Sequence, residues 1–165
     1  MRLLVELGAD PLTPNRDKCT PLMAAAGVGV RAPGEEAGTE TEAIEAVKLA
    51  LKLGGDINAV DRNGETAMHG AAYKSLPKVV QLLADNGPKI DVWNRKNKYD
   101  RTSLLIAEGH RFGNFKPAAE TIAAIHKVMR DAGLTPPPRT PPPPSGGYQV
   151  YEAAKKKSFV SRIHG

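Results

Sequence analysis

Asp61-Arg62-Asn63-Gly64-Glu65-Thr66-Ala67-Met68-His69-Gly70-Ala71-Ala72, running on without a gap to Val92, is the stretch on which the fold turns. Its phrase Thr66 to Ala72 has two counterparts, Thr20-Pro21-Leu22-Met23-Ala24-Ala25-Ala26 and Thr102-Ser103-Leu104-Leu105-Ile106-Ala107. A second phrase follows each copy: Leu53-Gly54-Gly55-Asp56-Ile57-Asn58-Ala59, then Asn86-Gly87-Pro88-Lys89-Ile90-Asp91-Val92, and more faintly Ala132-Gly133-Leu134-Thr135. Leu7-Gly8-Ala9-Asp10 is a further instance with no first phrase ahead of it. Self-similarity of this kind marks stacked supersecondary units in place of a single closed core.

Each phrase carries its own physics. Thr66 can start a helix by accepting a backbone N–H bond, and the small Ala71 and Ala72 let a neighbouring helix come close. After it, Val79, Leu82 and Leu83 recur at i, i+3 and i+4, as Ile44, Val47, Leu51 and Ile122, Ile125, Met129 recur at i, i+3 and i+7, so each second helix has one apolar stripe. Pro77 and Pro117 stand near helix starts, where a missing N–H is harmless, and Gly54, Gly87 and Gly133 stand at helix ends. Between units, Asp61-Arg62-Asn63-Gly64 is turn chemistry with Gly64 suited to positive φ. Lys18 and Asp100 replace that glycine in the other copies, and Lys18 fits worst.

Taken jointly, the two phrases resemble the ankyrin repeat, whose signature is T-P-L-H-x-A on a period of about 33 residues. The resemblance covers roughly residues 2–135. It implies an all-α solenoid of helix-turn-helix units joined by hairpin-like turns. It implies for His69, fourth in its phrase, a structural side chain that bonds the turn backbone of an adjacent repeat. From the Thr of the first phrase to the Gly of the second there are 21 positions in the middle copy, 34 in the first and 31 in the last. Insertions of 13 and 10 residues follow, at roughly Val28 to Glu40 and Glu108 to Lys116, between the two helices of a unit. Extra residues are tolerated there because loop closure becomes costlier only slowly with length.

The chain has 165 residues, 41% hydrophobic and 25% charged, enough for one modest core. The net charge of +5 is unevenly placed: through Thr135 there are 18 Lys and Arg against 17 Asp and Glu, and the rest of the excess follows Pro136. The repeat part is nearly neutral and lacks the clustered basic face that phosphate neutralisation needs. No apolar run reaches the length of a membrane helix, and no secretory signal is visible. Cys19 is alone, so it cannot form an internal disulfide.

Catalytic and metal motifs are not found. His110, His126 and His164 show no metal-ligand spacing, so neither metal nor cofactor is expected. Gly27 to Gly34 lacks the Gly-Lys-Ser/Thr of a phosphate loop. The acidic run Glu35, Glu36, Glu40, Glu42, Glu45 reads as a solvated approach to a helix N-terminus, where negative charge is favourable. Cys19 reads as an incidental, exposed turn residue. What remains is surface recognition. The resemblance implies a concave surface made of turns and first helices, which here would include Arg62, Asn63, Tyr73, Lys74, Trp93, Arg95, Lys98, Tyr99 and Arg101. Tyr, Trp and Arg are enriched at interface hot spots. The aromatics have a second reading, in which Trp93 packs between adjacent turns and Tyr73 covers helix ends. Phe112 and Phe115, in the second insertion, are expected to fold back onto the last repeat, the alternative being that they and Arg111 anchor a partner.

The expected organisation is a repeat domain over residues 1–135, comprising a partial repeat 1–10 and repeats at about 11–58, 59–92 and 93–135, followed by a disordered, Pro-rich and basic tail over 136–165. Leu3, Leu4, Val5 and Leu7 open the chain uncapped, which reads as the C-terminal portion of a longer array. Thr20, Thr66, His69, Thr102, Gly54, Gly64, Gly87 and Gly133 carry the structural motif. The expected function is non-catalytic: a monomeric array that binds an unidentified protein partner, with no small-molecule substrate, nucleic acid or membrane. Two alternatives stand beside it, a structural segment of a larger protein whose activity lies upstream, and a tail that tethers to nucleic acid or anionic membrane.

Overall fold

Threonine starts the first helix of the outer units through its hydroxyl. Thr20 Oγ1 accepts from the Met23 N–H at 3.2 Å and Thr102 Oγ1 from the Leu105 N–H at 3.3 Å, each from extended backbone. The computed structural model describes residues 2–30, 38–111, 116–139 and 141. Over these the chain is helical with no strand: α1 (Arg2–Glu6), α2 (Pro21–Ala26), α3 (Glu40–Lys52), α4 (Ala67–Lys74), α5 (Pro77–Asp85), α6 (Ile90–Trp93), α7 (Ser103–Ala107) and α8 (Ala119–Asp131). The expectations for Phe112, Phe115, Glu35, Glu36 and the tail after Pro141 lie outside the described residues.

α2 packs on α3, α4 on α5 and α7 on α8; α2, α4 and α7 form one row of contacts, and α3, α5 and α8 a second. This is an all-α solenoid of two helical layers, with its core between them. Leu22, Met23, Met68, Val79, Val80, Leu83, Ile106 and Ile125 are fully buried there. Each such side chain contributes roughly 1.5–3 kcal/mol by leaving water. The stripes of the second helices are wider than the apolar spacing predicts. Ala43, Val47 and Ala50 line the core in α3, Val79, Val80 and Leu83 in α5, and Thr121, Ile125, Val128 and Met129 in α8. Ile44, Leu51, Leu82 and Ile122 fall at the margins, half-buried. A helix wedged between its own partner and the neighbouring units buries more than one ridge.

Backbones touch where α2 ends against α4. A Cβ at Gly70 would stand 2.6 Å from Val28 N and 2.9 Å from the carbonyl carbon of Gly27, closer than any side chain allows. Ala71 and Ala72 are fully buried, yet the tightest approach belongs to the glycine before them. Gly54, Gly87 and Gly133 follow α3, α5 and α8 with φ of +92°, +70° and +78°.

Carboxylates secure two helix starts. Thr39 and Glu42 form a reciprocal cap on α3, the Thr39 N–H donating to Glu42 Oε2 at 2.7 Å. Glu40 Oε1 accepts the N–H of Lys78 in the first turn of α5 at 2.7 Å, and so joins one unit to the next. Part of the acidic run is therefore structural.

Arg111 follows α7 and is 2% exposed. Its guanidinium turns back to the C-terminal end of α4, where Nη1 donates to the carbonyls of Ala72 and Tyr73 at 3.3 and 2.8 Å and to Ser75 Oγ at 3.3 Å, and Nη2 donates to the Lys116 carbonyl at 3.1 Å. The helix dipole favours a cation at that place. α6 falls within the second phrase: the Lys89 carbonyl accepts from the N–H groups of Val92 and Trp93 at 3.0 and 3.2 Å and closes one helical turn.

Candidate functional site

Five residues ahead of each capping threonine stands Asn15, Asp61 or Asn97, and each folds the chain back by the same bonds. The backbone N–H of that residue donates to the carbonyl four residues on, at Cys19, Glu65 and Arg101, over 2.9, 3.0 and 2.9 Å. Its side-chain Oδ1 accepts two further N–H groups: Asp17 and Cys19 at 2.9 and 3.0 Å, Asn63 and Glu65 at 2.7 and 2.8 Å, and Tyr99 and Arg101 at 2.9 and 3.2 Å. Asn and Asp suit this place because their short side chains supply an acceptor to their own turn. The fourth residue of each turn is left-handed, with φ of +62° at Lys18, +74° at Gly64 and +58° at Asp100.

Successive turns are joined. The N–H of Arg62 donates to the Asp17 carbonyl at 2.9 Å, and that of Lys98 to the Asn63 carbonyl at 2.7 Å. One edge of the solenoid is therefore a series of turns bonded in a row, with Arg16, Arg62 and Lys98 at matching positions and all exposed. Lys98 Nζ also donates to Asn63 Oδ1 and lies 5.0 Å from the ring centre of Tyr99, with the Arg101 guanidinium 5.7 Å from the same ring.

Behind the turns is a buried polar layer. Asn97 Nδ2 donates to Glu65 Oε1 at 3.1 Å and to the Tyr73 hydroxyl at 3.3 Å. Burial, then the nearby Asp61, holds the Glu65 carboxyl above its ordinary range, and burial with the Glu65 charge raises the Tyr73 phenol. His69 is buried in the same layer, its Nε2 3.0 Å from the Arg95 carbonyl. Cys19 is half-buried, and burial followed by the Asp61, Glu65 and Asp17 carboxylates pushes its thiol up to about 11. It stays protonated at neutral pH and is a poor nucleophile.

The nine candidate surface residues divide. Arg62, Arg95 and Lys98 are exposed, and Asn63, Lys74 and Tyr99 are half-buried. Trp93, Tyr73 and Arg101 are 3%, 6% and 8% exposed and present little to a partner, so for Trp93 and Tyr73 packing is the reading that describes them. Trp93 belongs to the buried core, and its carbonyl accepts from Ser103 Oγ at 3.3 Å. Ala67 through Tyr73 of α4 are all buried, so the first helix of the middle unit offers little to a partner. Arg16 lies outside that candidate set, although its place after Asn15 matches Arg62 after Asp61 and Lys98 after Asn97. Among the described residues no group of His, Cys, Asp and Glu could hold a metal ion, and no helix is long and apolar enough to cross a membrane.

Comparison with known proteins finds two likenesses. The family model described as ankyrin repeats, in three copies, matches residues 37–123, more than half of the chain. An ankyrin repeat protein of fowlpox virus (strain NVSL) is 40% identical over 50 residues, which are 30% of this chain and 12% of the viral protein.

Proposed function

The chain belongs to the ankyrin repeat family, and from that premise we propose that it binds another protein along the edge formed by its turns and performs no catalysis of its own. Ankyrin repeats are in general protein-interaction modules, and the family is typically non-catalytic. The contact set is Arg62, Asn63, Arg95, Lys98 and Tyr99; Lys74 ends α4 beside Gly27, away from the turns, and stands outside it. One observation carries this reading: the turns bond their own backbone, their neighbours and a buried polar layer, while their tips leave long side chains to solvent. A preordered backbone presenting exposed side chains loses little entropy when a partner docks. In the same reading residues 1–135 are the repeat domain, a monomer when intact, and 136–165 are a tail outside the contact set.

Affinity capture from the native cell tests this. Partners held by the full chain should be lost with the R62A/R95A/K98A/Y99A variant once circular dichroism shows the same helicity. An unchanged set of captured proteins would overturn the reading.

A further inference from the structure

The turn edge has a chemical character of its own. Arg16, Arg62 and Lys98 occupy one position in three successive turns, spaced by the bonds from Arg62 N–H to Asp17 O and from Lys98 N–H to Asn63 O. Arg95 and Lys96 lie beside the last turn, and all five are exposed. Among the described residues no carboxylate forms an ion pair with any of them. Cations on a repeat part that is nearly neutral as a whole are thus gathered on one edge at a pitch set by the backbone.

We infer that this edge receives an extended acidic segment of a partner protein, whose Asp or Glu side chains pair with Arg16, Arg62 and Lys98 in turn. The inference rests on the protein-binding reading above and names the chemistry of the partner. Exposed Asp17 and Asp100 stand on the same turns as Arg16 and Lys98. A polyphosphate backbone, which carries charge without a break, would meet those carboxylates along its path. A peptide can place its acidic side chains opposite the cations and uncharged ones opposite Asp17 and Asp100, and Arg62 can take a carboxylate in bidentate fashion.

Fluorescence anisotropy of fluorescein-labelled octaglutamate with the full chain tests the inference, with octalysine and an oligothymidylate of equal length as comparison probes. Octaglutamate should bind in low salt, weaken as salt rises, and lose about tenfold or more in affinity to the R16E/R62E/K98E variant. R16K/R62K should retain most of the binding, since charge is kept. K155A/K156A/K157A should bind as the wild type does, which separates the edge from the basic tail. The substituted turn side chains are exposed, and unchanged thermal midpoints verify that the variants fold. Equal binding by wild type and R16E/R62E/K98E, loss of binding in the tail variant, or tighter binding of oligothymidylate than of octaglutamate would each overturn the inference. Captured partners that respond to the R62A/R95A/K98A/Y99A variant while octaglutamate does not bind would leave the protein-binding edge standing and remove its acidic partner.

Discussion

His69 and Arg95 meet across a turn, the imidazole Nε2 lying 3.0 Å from the Arg95 carbonyl oxygen. The Thr66 N–H points at Nδ1 from 3.3 Å, so Nδ1 accepts, the ring proton sits on Nε2, and the carbonyl receives it. The ring is held neutral. Burial is the main cause that brings its pKa down from 6.5 to about 4, against the bonds to backbone at Arg95 and Arg101 and the charge of Asp61.

The sign of the resulting pH dependence follows from that displacement. Above pH 6.5 the ring is neutral in both states and its contribution to stability is complete. As pH falls from 6.5 towards 4 the unfolded chain takes up a proton that the folded chain refuses, and about 3 kcal/mol is lost. H69Q should be less stable than wild type at neutral pH by about 1–2 kcal/mol, with the difference shrinking towards acid and reversing sign before pH 4. Urea midpoints that keep a constant separation between the two proteins across this range would refute the assignment.

Arg111 closes the end of α4 from a segment beyond α7. R111A leaves the Ala72 and Tyr73 carbonyls without their charged donor, and should cost about 2–3 kcal/mol in stability. R111K restores the charge without the fork and should recover only part of it. Chemical denaturation of both variants measures this, and full stability in R111A would show the contact to be idle.

Lys18 has the left-handed backbone that Gly64 adopts in the next turn, with φ of +62°. That conformation strains a residue with a Cβ, by roughly 1–2 kcal/mol, while glycine gives back part of the gain as freedom in the unfolded chain. K18G should therefore stabilise the protein by about 0.5–1 kcal/mol. A lowered thermal midpoint in K18G would contradict this.

At Gly70 even a methyl group is excluded, since its carbon would stand 2.6 Å from Val28 N. G70A must push α2 and α4 apart, and should destabilise by about 1–3 kcal/mol even though alanine is the better helix former. Alanine at Gly87, which has nothing within 4 Å of its would-be Cβ, bears only the strain of its positive φ and should have the smaller effect. Paired thermal melts decide between them.

The units and their helices were legible because the signals are local: a threonine that caps, an apolar stripe, a glycine that ends the helix. Gly64 and its stand-ins Lys18 and Asp100 could be matched to one backbone conformation from the phrase alone. The fate of Tyr73 and Trp93 could not, since both side chains suit a surface and a core equally. The Tyr73 hydroxyl meets Asn97, on the next turn, and Trp93 joins the core cluster shared by several units. Arg111 has partners 36 to 39 residues away, beyond any periodic signal. α6 is four residues long, too short to show a period. Arg16 was within reach by register, two positions ahead of Lys18 as Arg62 is of Gly64 and Lys98 of Asp100.

Both lengthened connections leave from the C-terminal ends of α2 and α7, whereas the turns enter at the N-terminal ends of the same helices. Insertions and turns thereby fall on opposite rims of the solenoid. Descendants of this chain could lengthen or trim one rim repeatedly and leave the bonded row of the other unaltered.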